Sequence, residues 1–192
     1  MSRTTEFEYD EKLAVARELF WQKGYAATSL HDLVDAMKLN RSSIYNTYGN
    51  KHTLFIECLR SYTQLKLAEY RHASQTGSSP LQAVENTIRN VVDTILAERR
   101  TCLAIHTVFE LAFSDAEAQA VLKAQGQATV RLFADLLTQA QAAGEIPSHK
   151  DPELTAHFIV ASFSGLWHSA IVFQKLGLVD KLMQHLLATI KA

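Results

Sequence analysis

Glycine and proline are scarce in this chain, 7 and 3 among 192 residues. Between Leu81 and Gln125 there is neither. That excludes a turn-rich all-β fold, which needs such residues at its reversals. Cysteine is almost absent: Cys58 and Cys102 stand far apart without CxxC spacing, so no disulfide framework, zinc site, dithiol motif or cofactor is expected. Neither sign of charge dominates, since 19 Lys plus Arg meet 20 Asp plus Glu for a net charge of −1. Nucleic-acid binding through global basicity is thereby excluded, and only a local patch is left. No run of letters approaches the roughly 18 apolar residues that cross a bilayer. The polar, acidic start MSRTTEFEYDEK is unlike a secretory leader. The expectation is a cytoplasmic chain with no membrane partner. Repeats, low-complexity tracts, HExxH and glycine-rich phosphate loops are missing as well.

What is present is helical patterning. With 47% hydrophobic residues, a chain of this length removes about 70% of its unfolded surface from water. Apolar residues recur with a period near 3.6 throughout, which predicts an all-α fold of about nine helices. The first runs from Asp10 to Lys23, with Leu13, Ala16, Leu19 and Phe20 on one face, and stops at Gly24. Ser29 and Asp32 have capping-box spacing for a helix to Met37. Asn40 caps a third helix through Asn46, and Asn50 a fourth carrying Leu54, Phe55, Cys58, Leu59, Tyr62 and Leu65. After Gly77-Ser78-Ser79-Pro80, Ser79 caps a fifth to about Arg99, with Leu81, Val84, Ile88, Val91 and Ile95 as its stripe. A sixth spans Thr101 to Phe113, and Ser114 with Glu117 opens a seventh ending at Gly144. Asp151-Pro152 starts an eighth to about Leu176, and Gly177 precedes the last, which ends near Ile190.

The chemistry concentrates in TSLHDLVDAMKLNRSSIYNTYGNK, Thr28 to Lys51. Two short amphipathic helices are joined there by only Lys38-Leu39-Asn40. Leu30, Leu33, Val34 and Met37 form one apolar face, and Leu39, Ile44 and Thr47 the other. So tight a joint fits a helix-turn-helix, whose second helix enters the major groove of DNA. Between Asp35 and Glu57 there is no acidic residue, while Lys38, Arg41 and Lys51 fall in that window with His52 beside them. Such a patch suits phosphate. The polar edge of the second helix reads Arg41, Ser42, Ser43, Tyr45, Asn46. Arginine can bridge guanine O6 and N7, and asparagine adenine N6 and N7. Thr28 belongs to the same candidate surface, and Ser29, Tyr48 and Lys51 suit phosphate better. A solvated polar face on two ordinary helices remains the alternative.

These residues carry a family resemblance. The span from Leu13 to Tyr62 resembles the DNA-binding domain of tetracycline-repressor-type (TetR family) transcriptional regulators. Its pattern is Phe20, Gly24, Tyr25 and Thr28, then Arg41-Ser42-Ser43-Ile44-Tyr45, then Tyr48 and Lys51 before Leu54-Phe55, over about a quarter of the chain. The resemblance implies an N-terminal three-helix DNA module (residues 1–50, packed on the start of the fourth helix). It also implies an effector-binding and dimerisation domain (51–192). The family usually has glycine in the helix-turn-helix joint, where this chain has Lys38. Either the turn differs, or a left-handed lysine is held at a cost on the order of 1 kcal/mol, with its amine free to reach phosphate.

In the C-terminal part, Ala161, Gly165 and Ser169 recur at steps of four. They could seat a neighbouring helix or, as the resemblance implies, a twofold homodimer interface. Such a dimer would place two recognition helices on a near-palindromic double-stranded operator. Candidate lining for a small organic effector is Tyr62, His106, Phe109, Phe133, Phe163, Trp167 and His168, for each of which core packing is the competing role. Cys102 follows Arg99-Arg100-Thr101 at a helix start, where the helix dipole and cations favour thiolate. It resembles the Gly-Cys-Leu stretch of a subgroup whose cysteine responds to electrophiles or oxidants, with Thr101 here in place of that glycine. A small buried hydrophobe is the alternative for Cys102, and Cys58 reads as structural. The whole is expected to be a repressor released by a small-molecule or thiol-reactive effector. A small helical enzyme pairing Cys102 with His106 or His168, and a helical adaptor without a DNA role, are the competing readings.

Overall fold

A computed structural model of the chain describes residues 3–98 and 100–192, the side chains of 3–7 and 176 excepted. Among the described residues every regular element is an α-helix, and there are nine: α1 (Arg3–Lys23), α2 (Leu30–Met37), α3 (Arg41–Tyr48), α4 (Lys51–Ser74), α5 (Pro80–Glu98), α6 (Leu103–Leu111), α7 (Ala116–Ala142), α8 (Pro152–Phe173) and α9 (Leu176–Lys191). The all-α expectation holds.

The helices fold into two compact units, Met1–Gln64 with Cys102–Lys123, and Leu65–Thr101 with Ala124–Ala192. In the first, α1 packs on α2 and α2 on α3. Leu13, Ala16, Phe20, Leu33, Met37, Ile44, Leu54, Phe55, Leu59 and Leu103 are all buried, each of the larger apolar side chains contributing roughly 1.5–3 kcal/mol when withdrawn from water. Phe20 meets Phe55 edge-on at 5.1 Å. The Tyr9 hydroxyl donates to Glu57 Oε2 at 2.8 Å, and Arg17 Nη1 to the Ser61 hydroxyl at 2.8 Å, tying α1 to α4. In the second unit, α5 packs on α8 and α9, and these two on each other. The stripe Val84, Ile88, Val91 and Ile95 is buried there, as its spacing predicts.

Helix ends show where local signals compete. Ser29, Asn40, Asn50, Ser79 and Asp151 all cap as expected, their side-chain oxygens accepting N–H groups two or three residues on. Asp10 does not: α1 begins at Arg3, because nothing in Thr4 to Tyr9 breaks a helix. Nor does Ser114 open α7. Asp115, one residue later, accepts from Glu117 N and Ala118 N, while the Ser114 hydroxyl turns back to Leu111 O. α6 starts after Cys102 and stops at Leu111. α8 ends at Gln174, which adopts φ 52, so Gly177 falls inside α9 rather than between the helices. Leu65 and Thr47, expected on apolar faces, are exposed.

α8 corrects the reading of apolar runs: by length and composition it could cross a membrane. Serines and histidines interrupt its letters, so no continuous run is visible. Ala156, Ile159, Phe163 and Leu166 are buried, whereas Leu154, Phe158 and Val172 are exposed. One helix with apolar residues on two faces reaches that composition.

Candidate nucleic-acid interface

The surface is built from caps inward. Ser29 forms a complete capping box with Asp32: its hydroxyl accepts Asp32 N, and Asp32 Oδ2 accepts Ser29 N at 2.8 Å. Lys23 Nζ reaches Asp32 Oδ1 at 2.6 Å. That bond, with those from the Ser29 N–H and hydroxyl, holds the Asp32 carboxyl well below the ordinary carboxylate range. α2 therefore starts at a defined point on α1. It ends on Lys38, at φ 54 and ψ 39. The left-handed turn is kept although the residue has a Cβ, and its lysine side chain is exposed. Asn40 Oδ1 then accepts Ser43 N at 2.8 Å and opens α3.

α3 divides its two faces sharply. Ile44 is fully buried against the unit's core, while Arg41, Ser42, Tyr45 and Asn46 are exposed. The Arg41 guanidinium carbon lies 5.8 Å from the Tyr45 ring centre. Asn46 Nδ2 is 3.5 Å from the Ser42 hydroxyl, at the limit of a hydrogen bond. Ser43 is half-buried. Gly49, at φ 82, closes α3 by donating its N–H to Tyr45 O at 2.9 Å. Lys51 follows at the first residue of α4, its Nζ 4.4 Å from the Tyr25 ring centre.

Two expected contacts are turned inward. Thr28 is fully buried, and its hydroxyl donates to Gly24 O at 2.6 Å, leaving no hydroxyl for phosphate. Tyr48 is buried too: its ring lies 4.9 Å from Tyr9, and its hydroxyl donates to Tyr9 O at 3.1 Å. Burial pushes that phenol up to about 12. Both residues brace the module. Ser29 is exposed, with its hydroxyl engaged in the capping box.

The structure also brings in residues that spacing did not reveal. Glu110 of α6 accepts the backbone N–H of Tyr25 (3.0 Å) and of Ala26 (2.7 Å). His52 Nε2 lies 2.6 Å from Asp115 Oδ2. Gly24, at φ 82, makes this approach possible, since a Cβ there would lie 3.0 Å from His106 Cε1 and 3.2 Å from Glu110 Oε2. Partners more than 60 residues apart leave no trace in local sequence pattern.

The effector candidates separate. In the first unit the Tyr62 hydroxyl donates to Cys102 Sγ at 3.2 Å, and Trp21 meets Tyr62 edge-on at 5.0 Å. Cys102 is buried at the N-cap of α6, while Arg99, expected beside it, lies outside the described residues. His106 stands against Gly24. Phe109 is 77% exposed and lines no interior. Cys58 is buried with its Sγ 3.7 Å from Leu13 O, and burial pushes its thiol up. In the second unit Phe133 and Phe163 lie 5.9 Å apart, with Tyr70 6.4 Å from Phe163. Trp167 is buried and donates its Nε1–H to Arg100 O at 3.0 Å. His168 is exposed.

The small-residue strip does not hold together as one face. Ala161 and Gly165 are exposed, whereas Ser169 is buried. Steps of four residues overshoot a 3.6-residue turn by about 40° each, so the third member has rotated inward. The exposed stripe of α8 instead follows Leu154, Phe158, Ala161, Gly165 and Val172.

Residues 13–58 match the family of bacterial regulatory proteins, tetR family, and residues 80–186 match the tetracyclin repressor-like C-terminal domain. The chain is 31% identical over 188 residues to the HTH-type transcriptional repressor ComR of Escherichia coli, covering 95% of this chain and 87% of that one. It is 28% identical to the uncharacterized HTH-type transcriptional regulator YezE of Bacillus subtilis, covering 81% of each. A TetR transcriptional regulator from Chloroflexus aurantiacus superposes with a TM-score of 0.90 at 19% identity, over 98% of this chain and 96% of that one. The regulator CifR, solved as a triple cysteine mutant on 26-bp double-strand operator DNA, superposes with a TM-score of 0.75 at 26% identity, over 91% and 94%.

Proposed function

Because the chain belongs to the tetR family of bacterial transcriptional regulators, and is therefore a DNA-binding repressor rather than an enzyme, we propose that it acts in the cytoplasm as a homodimer on a near-palindromic operator, from which an effector releases it. Residues 1–50, with Lys51 at the start of α4, read DNA, and the rest of 51–192 dimerises and senses. The observation that carries this reading is the outward polar edge of α3, set against a fully buried Ile44. Arg41 and Asn46 are the base readers, helped by Ser42, Ser43 and Tyr45. Lys38 and Lys51 bind phosphate and set the register; Ser29, whose N–H and hydroxyl both donate to Asp32, fixes the start of α2 instead. Dimerisation through the exposed apolar stripe of α8, with Ala161 and Gly165 at its middle, would hold two α3 helices on successive major grooves.

Two effector classes fit the side chains. A small organic molecule would meet Phe133, Phe163 and Trp167 in the second unit. A thiol-reactive compound would meet Cys102, which receives the Tyr62 hydroxyl hydrogen bond. Either acts by binding the DNA-free state better, and weakens operator affinity only by that preference.

A mobility-shift assay on the promoter beside its own gene tests the proposal. Saturable, salt-sensitive binding is expected there. Its absence at that promoter and at the neighbouring ones would refute operator recognition.

A further inference from the structure

The loop between α1 and α2 has two backbone donors that its own helices do not use. Gly24 spends its N–H on Phe20 O at 2.8 Å. The next two N–H groups, of Tyr25 and Ala26, point to a single carboxylate brought from α6. Glu110 Oε2 accepts the first at 3.0 Å, and Oε1 the second at 2.7 Å. One oxygen serves each donor, and bonds to an ionised acceptor are roughly twice as strong as neutral ones. A Cβ at position 24 would crowd this arrangement, 3.2 Å from Glu110 Oε2, on a backbone whose φ of 82 already disfavours one.

Fixing the Tyr25 backbone sets the point from which its side chain leaves the chain, and packing then holds the ring. That ring rests 4.9 Å from Phe55 and 6.3 Å from Phe20. On it sits the Lys51 ammonium, 4.4 Å from the ring centre, within the range of a cation–π contact. A lysine has four rotatable side-chain bonds, and holding one at the mouth of a phosphate site costs entropy that a fixed ring can lower.

We propose that Glu110 is a positioning residue for DNA binding: it holds Tyr25 in place, and the Tyr25 ring holds the Lys51 ammonium where a backbone phosphate will lie. This rests on Lys51 being a phosphate contact. Glutamate suits the task because its two oxygens both accept. Glutamine has one acceptor, and would set an NH2 group against one of the two N–H donors. Alanine has none.

The test uses the full-length protein and its operator fragment, with affinity measured by fluorescence anisotropy over a salt series. Lys51→Ala should lower the salt slope by about 1. Glu110→Ala should weaken binding about two- to fivefold, the worth of a cation–π contact at a partly exposed site, with Glu110→Gln in between. Tyr25→Leu keeps both N–H bonds and removes the ring, so it should match Glu110→Ala even if that variant folds poorly. In a Lys51→Ala background none of the three should weaken binding further. Losses that persist undiminished in that background would overturn the proposal, as would a Tyr25→Leu protein that binds normally. If Lys51→Ala leaves affinity and slope unchanged, the phosphate reading fails and the route through Tyr25 fails with it. If Lys51→Ala behaves as expected while Glu110→Ala binds normally, only the positioning role is lost.

Discussion

His52 Nε2 lies 2.6 Å from Asp115 Oδ2, while the other oxygen of that carboxylate caps α7 through the N–H groups of Glu117 and Ala118 at 3.0 and 2.9 Å. One side chain thus ends the α6–α7 turn and ties it to the first turn of α4. The Ala118 N–H does most to hold the Asp115 carboxyl below its ordinary 3.8; burial opposes it, and His52 adds to it.

A depressed carboxyl stabilises the fold above its unfolded value and ceases to do so as pH falls through the folded one. Asp115→Asn keeps a good N-cap and loses the charge. Urea unfolding should show wild type ahead of this variant at pH 6, with the gap closing below pH 3.8. A gap of constant size down to pH 3 would contradict the assignment.

Lys38→Gly separates folding from recognition. Releasing a left-handed lysine gains on the order of 1 kcal/mol, and glycine's extra unfolded entropy removes roughly 0.5–1 kcal/mol of it, so stability should hold or rise by at most about 0.5 kcal/mol. The operator salt slope should nevertheless fall by about 1 if the amine meets phosphate. Denaturation and anisotropy on the same protein read the two effects apart.

Gly165 has open space where a Cβ would point. Gly165→Arg should therefore leave the monomer folded while breaking an α8-mediated dimer and weakening operator binding with it. Sedimentation velocity gives the answer directly: a variant that still sediments as a dimer removes α8 from the interface.

Cys102→Ser should bind operator normally and resist release by thiol-reactive compounds. The Tyr62 hydroxyl can still donate to the new oxygen, so packing changes little. Release at the wild-type reagent concentration would take Cys102 out of the mechanism.

The left-handed Lys38 was one of two alternatives the joint left open, whereas the caps at Ser29, Asn40, Asn50, Ser79 and Asp151 and the buried stripe of α5 were legible in the letters. Each depends on partners within about four residues or on a repeating period, and such short-range terms act on any chain carrying those letters. Even the outward edge of α3 follows from the period, once Ile44 is taken as the buried side. The tertiary structure alone decided that Thr28 and Tyr48 brace the interior, that Asp115 rather than Ser114 caps α7, and that Ser169 rotates away from Gly165. It also brought Glu110 to Tyr25. A polar side chain turns inward only when a distant element supplies its hydrogen-bond partner, and that partner is chosen by how the helices pack.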